Sequence, residues 1–221
     1  MKIPSLLLRA IIFAIVVVVA ILVGYSIMTG NKRLRVYGPK DLNPSLVDES
    51  IRKKQKHRIG AFTLTDQRGR TITEKDLEGK IYVADFFFTT CEGICLDMSR
   101  NMAKIQEEFS DEQSLMLLSH SVTPEIDSVP ALMAYGEIHG ADNDRWLLLT
   151  GDRKHIYNLA RKEYFAAQHD GDGGPDDMVH TENFVLVDKE KRIRGFYDGT
   201  NAEDIERAIE EINVLITEYD Q

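Results

Sequence analysis

The run YVADFFFTT at residues 82–90 is almost wholly apolar. It delivers the chain's only two cysteines, Cys91 and Cys95, to the start of an amphipathic segment at 98–109. A short apolar run followed by turn residues reads as a strand buried on both faces, and the segment after it has helical spacing. Two thiols at a strand-to-helix handover point to a fold that layers helices on a sheet. A helix covering both cysteines would set them i, i+4, on one face and a turn apart. The partial positive charge at a helix N-terminus stabilises a thiolate, making it a better nucleophile and a better ligand. Such a pair can close a disulfide or hold one soft metal ion.

The rest of the chain alternates in the same way. Residues 62–73 (FTLTDQRGRTIT) predict a hairpin around an Asp-Gln-Arg-Gly turn. Thr73 caps a short helix through Leu77, ended by Gly79, and a strand follows at 81–88. A second apolar strand lies at 114–122. A helix capped by Asp127 or Ser128 runs to His139, with Gly140 as its stop. A short strand at 146–149 precedes a helix from Asp152 to Phe165. After a Gly/Asp-rich loop at 168–179, strands at 183–187 and 193–197 form a second hairpin. A last helix, capped by Thr200 or Asn201, covers 202–217. The pattern is α/β with a mixed sheet.

Residues 10–28 (AIIFAIVVVVAILVGYSIM) carry no charge over 19 residues, where roughly 20 are needed to span a bilayer. Lys2 and Arg9 precede this run and Lys32, Arg33 and Arg35 follow it, so flanking charge does not orient it. The run is long for a signal-peptide core and has no evident small-x-small cleavage site, so an uncleaved anchor is expected. No cysteine lies near enough to carry a lipid. The expected organisation is an N-terminus at 1–9, a transmembrane helix at 10–29, a polar tether at 30–58 and one folded domain at 59–221. Beyond residue 35 the chain holds 22 basic and 36 acidic residues, a net charge of −14, which argues against a nucleic-acid partner. Cys91 and Cys95 enclose too short a loop to stabilise a fold by cross-linking, so their purpose is chemical.

The stretches DFFFTTCEGICLDM, SVTPEID, WLLLTGD and HTENFVLVD, in this order, resemble the Sco/SenC family over roughly residues 58–215. The chain departs from that family at Glu92 and Leu96, where proline commonly follows each cysteine. With the element pattern, the resemblance implies a thioredoxin-like fold with an N-terminal hairpin and an inserted strand–helix unit. It implies a membrane-tethered copper chaperone or thiol oxidoreductase linked to cytochrome c oxidase assembly. The implied partner is the oxidase subunit that carries the binuclear copper site, or another copper or dithiol acceptor, with membrane lipid around the anchor. The implied location is the bacterial cytoplasmic membrane, with the C-terminal domain facing the periplasm or cell exterior.

The resemblance also implies a ligand set of Cys91, Cys95 and His180. Two thiolates favour Cu(I), and an added imidazole lets the site hold Cu(II) as well. Three protein ligands leave a structural zinc site incomplete. His180 follows the Gly/Asp-rich loop, which is expected to be mobile enough to bring it to the thiols. Of the other histidines, His120 reads as a core or sheet-end residue and His169 as a solvated loop residue. His57, His139 and His155 read as surface positions. Asp85 is either a buried carboxyl that moves protons for the thiols or an outward-facing aspartate. Glu92, beside Cys91, is expected to raise its pKa. Asp170, Asp172, Asp176 and Asp177 do not fall at EF-hand spacing, so calcium is rejected. Three activities follow: copper delivery; thiol–disulfide exchange through Cys91 and Cys95; and a peroxidase, which the C-x3-C spacing disfavours.

Overall fold

The computed structural model describes residues 5–28, 33–54, 56–142, 144–168, 171, 174 and 177–220; within 5–28, side chains are described for residues 9 and 11–21. The chain forms two units, Met1–Arg33 and Leu34–Gln221. The first holds helix α1, Ser5–Met28, on which Ile11, Phe13, Ile15 and Ile21 are exposed. Among the described residues no helix is long and apolar enough to cross a membrane.

The second unit is built on one seven-stranded sheet. Its strands are β1 (Thr63–Asp66), β2 (Thr71–Thr73), β3 (Ile81–Phe87), β4 (Leu115–Ser121), β5 (Trp146–Thr150), β6 (Asn183–Val187) and β7 (Ile193–Asp198), in spatial order β2-β1-β5-β4-β3-β6-β7. The central strands β3, β4 and β5 run parallel, and the hairpins β1–β2 and β6–β7 close the two edges antiparallel. Every residue of β3 and β4 is buried. That is why both read as largely apolar runs rather than alternating ones: both faces of the sheet are covered.

The period-two alternation decides what each face meets. Ile81, Val83 and Phe87 join Met98, Met102 and Ile105 of α3 (Ile94–Glu108) and Ile205, Ile209 and Ile212 of α6 (Ala202–Tyr219). Tyr82, Ala84 and Phe86 pack instead with Ile156 and Tyr157 of α5 (Arg153–Asn158), and with Tyr164 and Phe165 beyond it. Helix α4 (Val129–His139) lies on the α3 side through Leu132 and Tyr135, and ends at Gly140 in the left-handed region at φ 72°. Asn201 caps α6 by accepting from the Glu203 and Asp204 amides.

Three expected elements differ. The helix at 73–77 is a series of turns, because the Asp76 carboxylate takes both the amide and the hydroxyl of Thr73 at 2.7 Å. The helix from Asp152 to Phe165 shortens to α5 and widens into a π turn over Leu159–Glu163, after which Phe165 takes φ 50°. The expected tether is folded from Leu34 onward: Tyr37 bridges to Ile193, and Val47 is buried in the core. Its hold is Arg194, which donates to the Leu34 and Arg35 carbonyls and pairs with buried Asp188 (3.0 Å) and with Glu218 (2.7 Å). Arg194 is buried, so this network lies in the range where removing one partner costs roughly 3–5 kcal/mol rather than the fraction typical of a surface pair.

Candidate functional site

Strand β3 stops at Phe87 and α3 starts at Ile94, four residues earlier than its apolar spacing predicts. Gly93 occupies the N-cap and supplies no side chain to it. Cys95 therefore sits in the first helical turn and is buried, while Cys91 lies ahead of the cap and is half-buried. The expected i, i+4 placement on one helix is not found, yet the turn between them keeps the two free thiols near enough to shift one another's pKa.

The pair is unequal. Burial raises the Cys91 thiol, but hydrogen bonds from the Cys95 thiol and from the Cys95 and Gly93 backbone outweigh it and hold its pKa below the ordinary value. Burial pushes Cys95 up to about 12; its bond to Cys91 and the nearby Cys91 and Asp85 charges add to the rise, and the Phe88 backbone opposes it. Glu92 is exposed and is not among the groups that set the Cys91 pKa, which corrects the expectation that it raises it. Its carboxylate sits in solvent, where a charge is well screened.

Asp85 is the buried alternative of the two readings. It shares the parity of Ile81, Val83 and Phe87 and so faces α3 and Cys95. Burial raises its carboxyl to about 7, partly offset by a bond from the Ser119 side chain, and its Oδ1 has no hydrogen-bond partner among the described residues. Next to it, Ser99 and Tyr135 share a buried hydrogen bond of 2.6 Å. Neither residue stood out in the sequence, because each reads as an ordinary residue of its helix.

His180 is exposed. It lines a cleft of about 480 Å³ with Arg161, Ala167, Gln168, Asp177, Met178 and Val179. The segment carrying it is moored. Arg161 grips the Asp177 carboxylate with two bonds of 2.7 and 2.6 Å, Arg153 donates to the Asp177 carbonyl at 2.7 Å, Val179 is in the core, and Thr181 donates to the Ala166 carbonyl at 2.6 Å. Among the described residues no three of His, Cys, Asp and Glu are gathered to hold a metal ion. Cys91 and Cys95 are thus brought together, and His180 is not brought to them. His169, Asp170, Asp172 and Asp176 lie outside the described residues.

The remaining histidines divide differently from expectation. His120 is core, as expected: its Nδ1 is 3.1 Å from the Asp85 carbonyl, it stacks on Phe86, and burial lowers its pKa to about 4. His57, expected at the surface, is largely buried; its Nε2 lies 2.6 Å from the Glu163 carbonyl and its ring packs on Phe165. His139 is half-buried against Tyr135, and His155 has a buried Nε2 with no partner among the described residues. Asp127, weighed as a helix cap, instead accepts hydrogen bonds from Thr89, Ser121 and Thr123, while Ser128 occupies the cap position.

Residues 51–217 match the SCO1/SenC family profile. The SCO1 protein homolog of Bacillus subtilis is 29% identical over 153 residues, covering 68% of this chain and 79% of that one. A crystal structure of a SCO1/SenC family lipoprotein from Bacillus anthracis superposes with a TM-score of 0.65 at 30% identity, over 75% of this chain and 98% of that one. BsSco, described with a disulfide switch and as a member of the Sco family of cytochrome c oxidase assembly proteins, superposes at 0.62 with 26% identity, over 74% and 95%. The same fold, at 24% identity and a TM-score of 0.58 over 73% and 99%, occurs in Arabidopsis thaliana ScoI solved with copper bound. The mixed sheet with its flanking helices is the thioredoxin-like fold of these Sco structures.

Proposed function

Because the chain belongs to the SCO1/SenC family, we propose that it is a copper metallochaperone acting in cytochrome c oxidase assembly. One observation carries the reading: two free thiols meet at the N-terminus of α3, one half-exposed with a lowered pKa and one buried. Two neighbouring soft sulfurs fit Cu(I), which is content with few ligands. His180 is the proposed third ligand, joining after the thiolates and adapting the site to Cu(II). A half-exposed Cys91 lets an incoming acceptor thiol replace it, so copper leaves by ligand exchange. The acceptor by this reading is the oxidase subunit with the binuclear copper site. The test is an anaerobic Cu(I) competition titration of the reduced full chain in detergent. One equivalent should bind to the dithiol and none to the protein oxidised to a disulfide. Equal uptake by both forms would remove the thiols from the site.

The inequality of the thiols also favours a second reading, reduction of a partner's disulfide. The Cys91 thiolate attacks one partner sulfur, the other leaves as a thiol, and Cys95 then displaces the mixed disulfide. The partner gains the two electrons and two protons that Cys91 and Cys95 lose. The readings are compatible, since an acceptor with cysteine ligands must be reduced before it takes copper.

We further read residues 10–29 as the anchor that keeps the chain at the outer face of a bacterial cytoplasmic membrane, with 1–9 in the cytoplasm. No helix among the described residues qualifies as a span; support comes from the uncharged sequence run at 10–28 and from the exposed apolar side chains at residues 11–21. A periplasm-dependent reporter fused after Gln221 should be active and should sediment with membranes. A soluble, N-terminally trimmed product would sink the anchor.

A further inference from the structure

The loop at 88–93 carries Cys91 between a strand that has ended and a helix that has not begun. Among the described residues its backbone-to-backbone bonds are those from the Cys91 amide to Phe88 (3.3 Å) and from the Leu96 amide to Gly93 (3.1 Å), and the Phe88 and Gly93 backbone also reach the thiols. What ties it to the neighbouring loop is Thr89. The Thr89 hydroxyl donates to Asp127 Oδ1 at 2.5 Å, and its amide is shared between both Asp127 oxygens at 3.4 and 3.3 Å. The same carboxylate accepts from the Ser121 hydroxyl at 2.5 Å and the Thr123 hydroxyl at 2.9 Å. Asp127 is fully buried. A carboxylate taken out of water persists only where donors satisfy it, and here hydroxyls and an amide do so in place of a guanidinium or ammonium.

The arrangement has one mechanical result. Cys95 is fixed by burial in α3, whereas the place of Cys91 depends on a loop whose hold lies two residues upstream. We propose that Asp127 is a positioning residue: through Thr89 it holds the cysteine loop so that the Cys91 sulfur stays within reach of Cys95. The proposal rests on the reading of Cys91 and Cys95 as a working dithiol. Short hydroxyl-to-carboxyl hydrogen bonds suit this task, because hydrogen bonds of this kind weaken steeply as their geometry departs from alignment.

The test is the equilibrium of the full chain with glutathione, in which the dithiol and glutathione disulfide give the Cys91–Cys95 disulfide and two glutathione molecules. Thr89→Val removes the hydroxyl and keeps the side-chain shape. It should shift the constant about tenfold away from the protein disulfide, about 30 mV for this two-electron couple. Thr89→Ser keeps the donor and should restore the wild-type constant. Ser121→Ala removes a donor from the same carboxylate but no atom of the cysteine loop. It should lower the melting temperature while moving the constant less than about twofold, since a lost buried hydrogen bond destabilises the fold without slackening the loop. A folded Thr89→Val protein with the wild-type constant overturns the proposal, as does Ser121→Ala shifting the constant as far as Thr89→Val. Should Thr89→Val fail to fold, Asp127→Asn carries the same expectation and the same refutation. No copper enters this equilibrium, so its failure is separate from failure of the copper reading, which the Cu(I) titration decides.

Discussion

Cys95→Ser should lose Cu(I) affinity by at least about a thousandfold, or roughly 4 kcal/mol, and Cys91→Ser should do the same. The reason is coordination chemistry. A hydroxyl is a hard, protonated donor at neutral pH and does not replace a soft thiolate on Cu(I). The two variants should differ in another respect. Cys91→Ser deletes the thiol with the lowered pKa, whereas Cys95→Ser deletes its buried partner, the source of a hydrogen bond that lowers the Cys91 pKa. Cys91 in the Cys95→Ser protein should therefore titrate higher and alkylate more slowly than in the wild type. Metal binding must displace thiol protons, so wild-type Cu(I) affinity should rise with pH. Cys95, pushed up to about 12, is still protonated across the neutral range, so affinity should climb by at least about tenfold per pH unit there. Below the Cys91 pKa a second proton must also leave and the climb steepens. A Cu(I) competition assay across pH measures this. Wild-type-like affinity in either serine variant, or a flat pH profile, would overturn the dithiol site.

His180→Ala should separate the two oxidation states. Cu(II) affinity should fall by about a hundredfold, roughly 2.8 kcal/mol, while Cu(I) affinity changes by less than about tenfold. Cu(II) prefers added nitrogen ligands, whereas two thiolates suffice for Cu(I). The substitution is structurally mild, because the imidazole is exposed while Val179 and Thr181 on either side carry the packing and hydrogen bonding. Its effect on stability should stay within about 0.5 kcal/mol, which a melting curve checks. Equal loss of both oxidation states, or loss of neither, would contradict the role given to His180. The same variant divides the two proposed activities in cells, since thiol–disulfide exchange needs only an attacking and a resolving thiol. If copper delivery dominates, His180→Ala cells should lose oxidase activity at limiting copper and regain part of it when copper is added. If reduction dominates, they should keep oxidase activity while both cysteine variants lose it.

Alternation of apolar runs with amphipathic segments was enough to place all seven strands and the main helices, because the period of burial is written in the order of side chains. The handover from β3 to the cysteines and the caps at Asn201 and Gly140 were legible for the same local reason. The tether was not, since its hold comes from Arg194 and Ile193, more than 150 residues away in sequence. Nor was the burial of Asp85: a carboxyl in an apolar strand can face either way until the helix that covers it is known. Glu92 looked decisive by adjacency, but what sets the Cys91 thiol is burial, the Cys95 thiol and nearby backbone hydrogen bonds. Sequence by itself thus marked which residues are candidates for the chemistry, because softness and spacing belong to the residues. Only the tertiary structure decided how those residues differ from one another. The burial of Cys95, the hold of Asp127 on Thr89 and the mooring of His180 all arise between segments distant in the chain, where desolvation and hydrogen bonding have no local signature.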